Sequence, residues 1–552
     1  MSLYDKSSLL QVPSLYKDGT LVSTIPEDRS GDFTVVRGSN LSATRIGPDG
    51  YIKKGYENLL LQSNQFDTTW TTSNASVTSG QAGYDGTNDA WKLESTANTN
   101  TAFIRQFVSA SNVQTISFYA KAGTQQYIRL VLLYAPYPLI YVDLSNGSVG
   151  SSSNEIDYNV ESAGDGWYRI SLTADLITYG VQISISDGIN SLNCSVGDNI
   201  YIQDAQLNQG LVAYPYLETT TAPAQGGLLE NTPRLDWSNG VPSVLVEEGS
   251  TNLIRNSEYF DGIGWNYQAN AMDVVENNSI VSPEGLKNAT KIERTAVRNY
   301  TNFYVDLYAT LGATYTYSVY MKAGTHDIGF LSFYLFGSTA YSASYDLTNG
   351  ETNSLEGDAI SSMEPVGDDW WRCVLSGFTP PDTDLFGRVG IGMSYTTSIP
   401  NWVPSNGGAG LYMHYYGAQL EQASIPSSYI PTYATTQTRS SEVISDDFNI
   451  PTTATIYNSF YSDVAETVFV FDQVFNVVEG LNKVAIAFSP TAVKISVGGS
   501  IVANATGTYD TTSLTNIQLG SNNGTDYSNA PISGFYVFPE FLTDEELNSL
   551  TD

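Results

Sequence analysis

An internal repeat constrains this chain more than any other feature of its sequence. Six short blocks of residues occur twice, in the same order. The first copy opens with Asn58-Leu-Leu-Leu-Gln-Ser and closes with Ala205-Gln-Leu, and the second opens with Asn252-Leu-Ile-Arg-Asn-Ser and closes with Ala418-Gln-Leu. Ordered repetition of this kind indicates a folding unit duplicated in tandem. The spacing between matching blocks grows toward the carboxyl end, so we expect the second copy to have the longer loops.

The repeated blocks have the pattern of short β-strands joined by tight turns. Residues Ile116 to Ala120 and Tyr317 to Met321 alternate like strands with one buried face. Asn146-Gly147 and Asn349-Gly350 are hairpin signals, because both residue types tolerate a positive φ. The 38 tyrosines favour half-buried pleated surfaces and the 47 glycines favour turns. The sequence therefore predicts an all-β protein in which each copy is a jelly-roll β-sandwich of roughly eight to ten strands.

The repeat divides the chain into five parts. Residues 1–56 are interpreted as an N-terminal anchor or connector, and residues 223–250 as a connector hairpin. Residues 57–222 form the first predicted β-sandwich, which we call module 1, and residues 251–438 form the second, module 2. Residues 439–552 lack the repeat and are predicted to form a smaller, separate β-sandwich.

The C-terminal part combines strand-like runs with one helix. Glu466 to Phe471, Lys483 to Phe488 and Ala492 to Val497 read as strands, and the last of these meets a Gly-Gly hairpin turn. Thr543 and Glu546 have the spacing of a capping box, which predicts a helix after Thr543.

Charge and cysteine content exclude several classes of protein. The formal net charge is −33, which repels phosphate backbones and anionic lipid surfaces, so we expect neither nucleic-acid binding nor membrane insertion. The two cysteines, Cys194 and Cys373, lie too far apart in the sequence to indicate a disulfide framework. The first ten residues lack the basic and apolar regions of a signal peptide.

Catalytic motifs are missing from the sequence. The two histidines, His326 and His414, accompany neither a nucleophile elbow nor a His-Glu-x-x-His zinc motif. We therefore predict that the protein is not an enzyme. A carboxylate pair of the kind that glycosidases use stays open as an alternative, because the chain has 57 acidic residues.

Aromatic side chains near the longer loops of module 2 are the candidate recognition residues. A sugar stacks on an exposed aromatic face, and the predicted candidates are Trp402, Tyr395, Tyr412 and Tyr416. Six other tryptophans occupy repeated strand positions and are predicted to pack in cores: Trp70, Trp91, Trp167, Trp265, Trp370 and Trp371.

One loop of module 1 has oxygen ligands at close spacing. Asp85, Asn88 and Asp89 offer the hard oxygen donors that Ca²⁺ prefers, although the loop lacks the spacing of an EF-hand. These residues are the candidate site for a structural Ca²⁺, and an ordinary polar turn is the alternative. No other cofactor is predicted.

The repeated motifs resemble those of tailed-bacteriophage virion proteins. The motifs are Tyr-x-Lys-Ala-Gly-Thr, at 119–124 and 320–325, and Gly-Asp-x-Trp-x-Arg, at 164–169 and 367–372. In that family, tandem carbohydrate-binding-like jelly rolls sit in tail or head fibres and in decorations. Residues 439–552 are similar to a laminin-G/concanavalin-like sandwich, through a Val-Gly-Gly turn and a closing Leu-Thr-Asp-Glu-Glu-Leu.

The resemblance implies a structural protein of the virion, assembled in the host cytoplasm. It implies other virion proteins and host cell-surface glycans as partners, and a homo-oligomer, either a trimer or a dimer. Adhesion to the host surface through the repeated modules is the function that it favours. A purely architectural decoration of capsid or tail, and a polysaccharide depolymerase, are the two alternatives.

Overall fold

The computed structural model describes most of the chain. The described residues are 3–13, 16–17, 19–38, 41–267, 274–294, 302–335, 340–356, 359–380, 386–394, 409–462, 465–512, 514, 517–521 and 529–552. Nearly all of the regular structure is β-strand, so the predicted all-β fold class is confirmed. Within these residues, no helix has both the length and the apolar content needed to cross a membrane.

The residues before the first repeat form a 3₁₀ turn, Leu3–Lys6, and six short strands. These are β1 (Leu9–Gln11), β2 (Tyr16–Lys17), β3 (Thr20–Leu21), β4 (Phe33–Val36), β5 (Thr44–Ile46) and β6 (Ile52–Asn58).

Module 1 is a sandwich of two six-stranded antiparallel sheets. Its strands are β7 (Thr71–Ser73), β8 (Ala75–Gln81), β9 (Ala90–Ser95), β10 (Phe103–Gln106), β11 (Val113–Ala122), β12 (Tyr127–Leu132), β13 (Leu139–Asp143), β14 (Ser148–Ser153), β15 (Asp157–Gly164), β16 (Trp167–Asp175), β17 (Val181–Ser186) and β18 (Asn199–Gln209). One sheet has the order β14-β13-β12-β17-β10-β7, and the other β15-β16-β11-β18-β9-β8. Alternate residues of each strand point into the space between the sheets, where Ile104, Leu130 and Ile183 meet Ile116 and Phe118 in a core without solvent exposure.

The connector contributes β19 (Ala224–Gly227), β20 (Arg234–Asp236), β21 (Ser243–Leu245) and β22 (Ser250–Asn252). Strand β19 pairs with β6 in a three-stranded sheet that also contains β5. The connector therefore folds back on the chain that leads into module 1.

Module 2 repeats the topology of module 1 strand for strand. Its strands are β23 (Trp265–Tyr267), β24 (Val274–Ile280), β25 (Ala289–Glu293), β26 (Asn302–Tyr308), β27 (Tyr315–Ala323), β28 (Ile328–Leu335), β29 (Ala340–Asp346), β30 (Glu351–Glu356), β31 (Ile360–Pro365), β32 (Trp370–Phe378), β33 (Phe386–Met393) and β34 (Tyr412–Glu421). The sheet orders are β23-β26-β33-β28-β29-β30 and β24-β25-β34-β27-β32-β31. Each module thus has twelve strands, more than the sequence predicted, because short edge strands such as β7 and β23 lie outside the repeated blocks.

Most of the remaining strands complete a third sandwich; the exceptions are the strand at 437–439, which pairs with β22, and the hairpin formed by the strands at 466–470 and 473–477. The remaining strands are β35 (Gln437–Arg439), β36 (Val443–Asp446), β37 (Ala454–Ser462), β38 (Glu466–Val470), β39 (Gln473–Val477), β40 (Gly480–Ser489), β41 (Ala492–Val497), β42 (Ser500–Thr506), β43 (Ile517–Leu519) and β44 (Ile532–Phe538), followed by the helix α1 (Asp544–Thr551). The predicted capping box is present, since the Thr543 side chain and Glu546 satisfy each other's backbone N–H groups.

The third sandwich is discontinuous in sequence, which corrects the predicted domain boundaries. One sheet has the order β20-β21-β44-β37-β40-β41-β42, with β1 also paired to β44, and the other has the order β2-β3-β4-β36-β43. Leu9 and Phe33 from the N-terminal segment share its core with Val244 from the connector and with Ile444 and Val537. Residues 1–56 are therefore not a free anchor, and residues 223–250 are not an isolated hairpin, because both supply strands to the C-terminal sandwich.

Several repeated polar residues lock the ends of the modules. The Asn58 side chain donates to the carbonyls of Ala205 (3.1 Å) and Leu217 (2.8 Å), and its Oδ1 accepts from two backbone N–H groups. Asn252 makes the four corresponding hydrogen bonds in module 2. A buried amide can satisfy four backbone groups at once, so the same residue recurs where each repeat begins.

The arginine of the Gly-Asp-x-Trp-x-Arg motif has an equally local role. In module 2, Arg372 donates to the carbonyl of Ser427 at 2.6 Å, and in module 1 Arg169 donates to the carbonyl of Tyr214. Both arginines thereby fasten the segment that follows the last strand of their module. The motif is explained by folding, without a ligand.

A buried ionic cluster joins the third sandwich to the connector and to the end of module 2. Arg234 makes a bidentate pair with Glu442, and its Nη2 lies 2.8 Å from Glu247 Oε2. Arg439 Nη1 lies 3.2 Å from the same Glu247 oxygen, and Arg37 Nε lies 3.5 Å from Glu442. Burial alone would raise the pKa of Glu247, but Arg439 and Arg234 outweigh it and lower that pKa to about 2.

A second buried cluster joins the lead strand of module 1 to module 2. Lys54 Nζ on β6 lies 2.7 Å from Glu258 Oε1 and 3.0 Å from Glu284 Oε2, and it donates to the Tyr433 hydroxyl at 3.0 Å. Burial opposes the charge of Lys54, yet the two carboxylates raise its pKa well above the usual value. Lys54, from the strand that leads into module 1, thus supplies the cation for two buried carboxylates of module 2.

Candidate functional site

Of the four aromatic residues predicted as a recognition surface, two lie among the described residues. Tyr395 and Trp402 lie outside the described residues. Tyr412 opens β34 and is half-buried, with Lys291 Nζ 4.6 Å from its ring centroid. Tyr416 has no solvent exposure, and its hydroxyl donates to Glu258 (3.2 Å) and Glu284 (3.0 Å). The expectation is wrong for Tyr416, because the central strand β34 turns that side chain into the Lys54 cluster.

The predicted Ca²⁺ loop holds itself together with hydrogen bonds. The Thr87 hydroxyl donates to Asp85 Oδ1 (2.6 Å) and also contacts Asp89, while Gln203 Nε2 donates to Asp89 Oδ1 at 2.8 Å. A Ca²⁺ ion needs six to eight oxygen ligands, and here hydroxyl and amide donors point at the carboxylate oxygens. Among the described residues, no group of three or more His, Cys, Asp or Glu side chains is arranged to hold a metal. Asp85, Asn88 and Asp89 therefore fit the polar-turn alternative better than a metal site.

The two histidines have structural hydrogen bonds. His326 Nε2 lies 2.5 Å from the Ser394 carbonyl, and His414 Nδ1 lies 3.2 Å from the Ser279 hydroxyl. Burial, with help from Lys291 and Lys322, lowers the pKa of His414 to about 4. This imidazole is neutral near pH 7 and is held inside the sheet.

The most distinctive surface in the structure is the outer face of one sheet of module 1. Strands β10, β17, β12 and β13 lie side by side in this sheet. Their inward residues are apolar apart from Gln106 on β10, whereas the outward residues of β10 are Phe103 and Arg105, and those of β12 include Tyr127 and Arg129. A strand that alternates aliphatic with aromatic or basic residues places all of the latter on one side. We call this side the outer face of module 1.

The strand register arranges the outer face in rows. Across the sheet, Phe103 on β10 pairs with Ser184 on β17. Ser184 also pairs with Arg129 on β12, and Arg129 pairs in turn with Tyr141 on β13. Directly paired residues in an antiparallel sheet point to the same side, about 5 Å apart. In the next row, Arg105 pairs with Gln182. The partly exposed guanidinium and aromatic groups therefore lie beside Gln182 and Ser184, which are buried and hydrogen-bonded to each other at 3.1 Å.

Neither arginine of the outer face has an acidic partner. Within the described chain, Arg105 and Arg129 form no ion pair and no side-chain hydrogen bond, and the Nε atom of each is covered without a partner. The Arg105 guanidinium packs instead against the rings of Phe103 (5.3 Å) and Phe107 (4.7 Å). Asp143 lies on the same side, opposite Tyr127, but its Oδ1 accepts hydrogen bonds from Ser145.

An exposed aromatic rim continues the outer face beyond the ends of β10, β12 and β17. Its members are 40% to 62% exposed: Phe107, Tyr134, Tyr137, Ile177 and Tyr179. Backbone hydrogen bonds join the chain segments that carry these residues. The Val108 N–H donates to the Tyr179 carbonyl, and the Leu133 N–H donates to the Gly180 carbonyl. The rings of Tyr134 and Tyr179 meet edge to face at 4.9 Å. A clustered apolar surface next to polar groups is typical of an interaction site.

The corresponding face of module 2 has a different charge balance. There Arg388 Nε lies 2.8 Å from Asp306 Oδ1, and its guanidinium stacks 4.0 Å from the Tyr304 ring centroid. The two modules therefore share a topology, but among the described residues the arginines on this face of module 1 form no ion pair, whereas Arg388 on the matching face of module 2 does. The sequence contained a signal for this face, the run Phe103-Ile-Arg105-Gln-Phe107, but it lies outside the repeated blocks.

Fold and site together define a class: an all-β protein of three β-sandwiches with an aromatic and basic sheet face. No family model matches the chain, and no curated protein matches it. Among solved structures, it is similar to the N-terminal CBM22-1–CBM22-2 tandem domain of Xyn10C from Paenibacillus barcinonensis, at 10% identity and a TM-score of 0.21. That match covers 70% of this chain and all of the other. A likeness this distant carries no argument about function.

Proposed function

We propose that this chain is a structural protein of a bacteriophage virion, a fibre or surface appendage that attaches to host-surface carbohydrate. The outer face of module 1, with its aromatic rim, carries the carbohydrate part of this proposal. The virion part rests on the resemblance of the repeated motifs to tailed-bacteriophage proteins. Assembly in the host cytoplasm, contacts with other virion proteins and a trimeric or dimeric state belong to the same proposal.

The chemistry of the outer face suits a sugar. A pyranose ring has an apolar face that stacks on an aromatic ring and an edge of hydroxyl groups that needs hydrogen-bond partners. Phe107 and Tyr179 offer exposed rings, and the partly exposed Arg105 offers a guanidinium donor beside them. A polymer can lie along an open sheet face, so the ends of the polymer need not fit into a closed pocket.

A glycan array probed with the purified chain tests this function. We expect binding to at least one host-surface polysaccharide, and we expect a Phe107→Ala/Tyr179→Ala variant to lose most of it, about tenfold or more, because each ring contributes stacking. Tyr158→Ala is the matched control, since Tyr158 is exposed on β15 in the opposite sheet of the same module. Undiminished binding by the double variant would overturn the assignment to this face.

We further propose that the protein binds its glycan without cleaving it. In the described structure, Glu258 and Glu284 converge on a common partner, but this carboxylate pair is buried around Lys54, where a polysaccharide cannot reach it. Chromatography of a bound polysaccharide after long incubation tests this, and we expect the polymer length to stay constant. Release of oligosaccharides would instead support the depolymerase alternative.

The buried ionic clusters favour a second candidate function, a purely architectural decoration of the particle. The Arg234–Glu442 pair joins the connector to the chain that follows module 2, and the Lys54–Glu258 pair joins β6 to module 2, and such interior contacts suit a rigid structural part. Electron microscopy of the particle with a labelled chain distinguishes the two. Density spread over the capsid, together with no glycan binding, would favour decoration over adhesion.

A further inference from the structure

We propose that the outer face of module 1 selects acidic glycans, with Arg105 and Arg129 each receiving an acidic group of the polymer. This inference rests on the proposed carbohydrate binding and specifies the chemical class of the ligand. It concerns two residues that fold stability does not require to be charged, because neither has an acidic partner among the described residues.

The charge balance of the whole chain makes the two unpaired arginines informative. Acidic residues outnumber basic ones, 57 to 24, so acidic partners are plentiful for an exposed arginine. Lys92, Lys291 and Arg388 on other sheet surfaces all have one. Arg105 and Arg129 lie on the same face and have no acidic partner among the described residues. Their guanidinium groups therefore remain available to an anion from outside the chain.

The local chemistry also favours a sugar acid over other anions. A guanidinium offers paired N–H donors that match a carboxylate. Tyr127 lies two residues from Arg129 on β12 and is partly exposed, and its ring and hydroxyl suit a sugar rather than a bare ion. The chain's net charge of −33 repels every polyanion, acidic glycans included, but this repulsion is screened beyond about 8 Å at physiological salt, so short-range contacts decide whether an acidic polymer binds.

The register sets the spacing of the two positive charges. Arg105 and Arg129 lie two strands apart, with β17 between them, and are offset by two residues along the strands. Strand spacing and rise place their backbones about 12 Å apart. At that spacing each arginine can receive its own acidic group from a polymer that carries such groups repeatedly.

The experiment compares acidic polymers with their neutral counterparts. Polygalacturonate, alginate and hyaluronate are each tested beside the same polymer after chemical reduction of its carboxyl groups, by calorimetry at 0.15 M salt. We expect at least one acidic polymer to bind about tenfold or more tightly than its reduced form. We expect Arg105→Gln/Arg129→Gln to remove that preference, so that the variant binds the acidic polymer and its reduced form equally.

The control variant is Arg388→Gln, which removes an arginine that already has an acidic partner on the matching face of module 2. Thermal unfolding of each variant confirms that the fold is kept. Equal binding of acidic and reduced polymers by the wild-type chain would overturn the acidic specificity while leaving the proposed carbohydrate binding intact. Failure to bind any polymer or any glycan of the array would count against the proposed function itself.

One further outcome would identify a different occupant. If Arg105→Gln/Arg129→Gln converts an oligomer to a monomer in light scattering while glycan binding stays unchanged, the outer face binds acidic groups of a second copy of this chain. That result would overturn the proposal.

Discussion

Single residues in this protein are repeated for structural reasons. Asn58 and Asn252 each close four hydrogen bonds to the backbone, and Arg169 and Arg372 each hold the segment after the last strand. These residues made the repeat visible in the sequence. The residues that differ between the two modules, such as Arg105, lie outside the repeated blocks.

Replacement of Asn58 by alanine should destabilise module 1 strongly. The change leaves two carbonyls and two N–H groups buried without partners, and each unsatisfied group costs about 1–3 kcal/mol. We expect a loss of about 3 kcal/mol or more in the free energy of unfolding, measured by denaturant titration. Asn159→Ala, at an exposed position of β15, should change it by less than about 0.5 kcal/mol. Similar losses for the two variants would contradict the four-bond role.

Asp204 gives module 1 a pH dependence of its own. Burial, reinforced by Asp89 and Asp85, raises its pKa to about 7, although the Tyr84 hydroxyl opposes the rise. A carboxyl whose folded pKa lies above its unfolded value of 3.8 costs stability when ionised. That cost is absent at pH 3, grows as the pH rises from about 4 to about 7, and is constant above.

Asp204→Asn tests this pH dependence. We expect the variant to be more stable than the wild type at pH 8, by up to about 4 kcal/mol, and equally stable near pH 3. The backbone of Asp204 has φ of 54°, which asparagine tolerates, so the substitution adds no strain. Thermal unfolding across this pH range is the measurement. A gain in stability that is the same at every pH would contradict a titrating Asp204.

At the scale of elements, the strand register decides which side chains can act together. Phe103, Ser184 and Arg129 come from three separate strands, and no sequence spacing connects them. Antiparallel pairing places them in one row because β17 lies between β10 and β12. Strand pairing also explains why Tyr416 is buried. This residue lies on β34, which has a neighbouring strand on each side.

The lead strand β6 should stabilise a module to which it does not belong. Lys54→Met leaves Glu258 and Glu284 buried without their cation, and breaking a buried pair of this kind costs about 3–5 kcal/mol. We expect the loss to appear in module 2, as faster hydrogen exchange in β25 and β34. Lys53→Met is the matched control, because Lys53 is the neighbouring residue and pairs at the surface with Asp49. Faster hydrogen exchange that is confined to module 1 would contradict the role of Lys54 in module 2.

At the scale of the whole molecule, the chain termini meet in one domain. The third sandwich takes strands from the N-terminal segment, from the connector and from the C-terminal part. Residues 9–36 and 532–538 are therefore both needed for its core, whereas each module is continuous in sequence. In the sequence, both modules lie between segments that belong to this one sandwich.

Phe33→Ala tests the shared core of the third sandwich. Phe33 has no exposure and packs edge to face against Phe535 at 6.2 Å, so removal of its ring should cost about 3–5 kcal/mol. We expect the lost protection to appear in β37 and β44 by hydrogen exchange. Val36→Ala, on the exposed side of the same strand, should have little effect. Unchanged protection of β44 in the Phe33 variant would support the separable anchor that the sequence suggested.

What the sequence determined by itself was local and periodic. Alternation of apolar residues, turn pairs such as Asn146-Gly147 and the duplicated blocks were sufficient for the all-β class, for two modules of one topology and for the terminal helix. Each of these follows from interactions among residues close together in the chain. The tertiary structure alone decided the rest, because it depends on which distant strands pair. Residues 9–36 join β36 and β44 across the length of the chain, and Arg105 and Arg129 become one surface only when β17 lies between them.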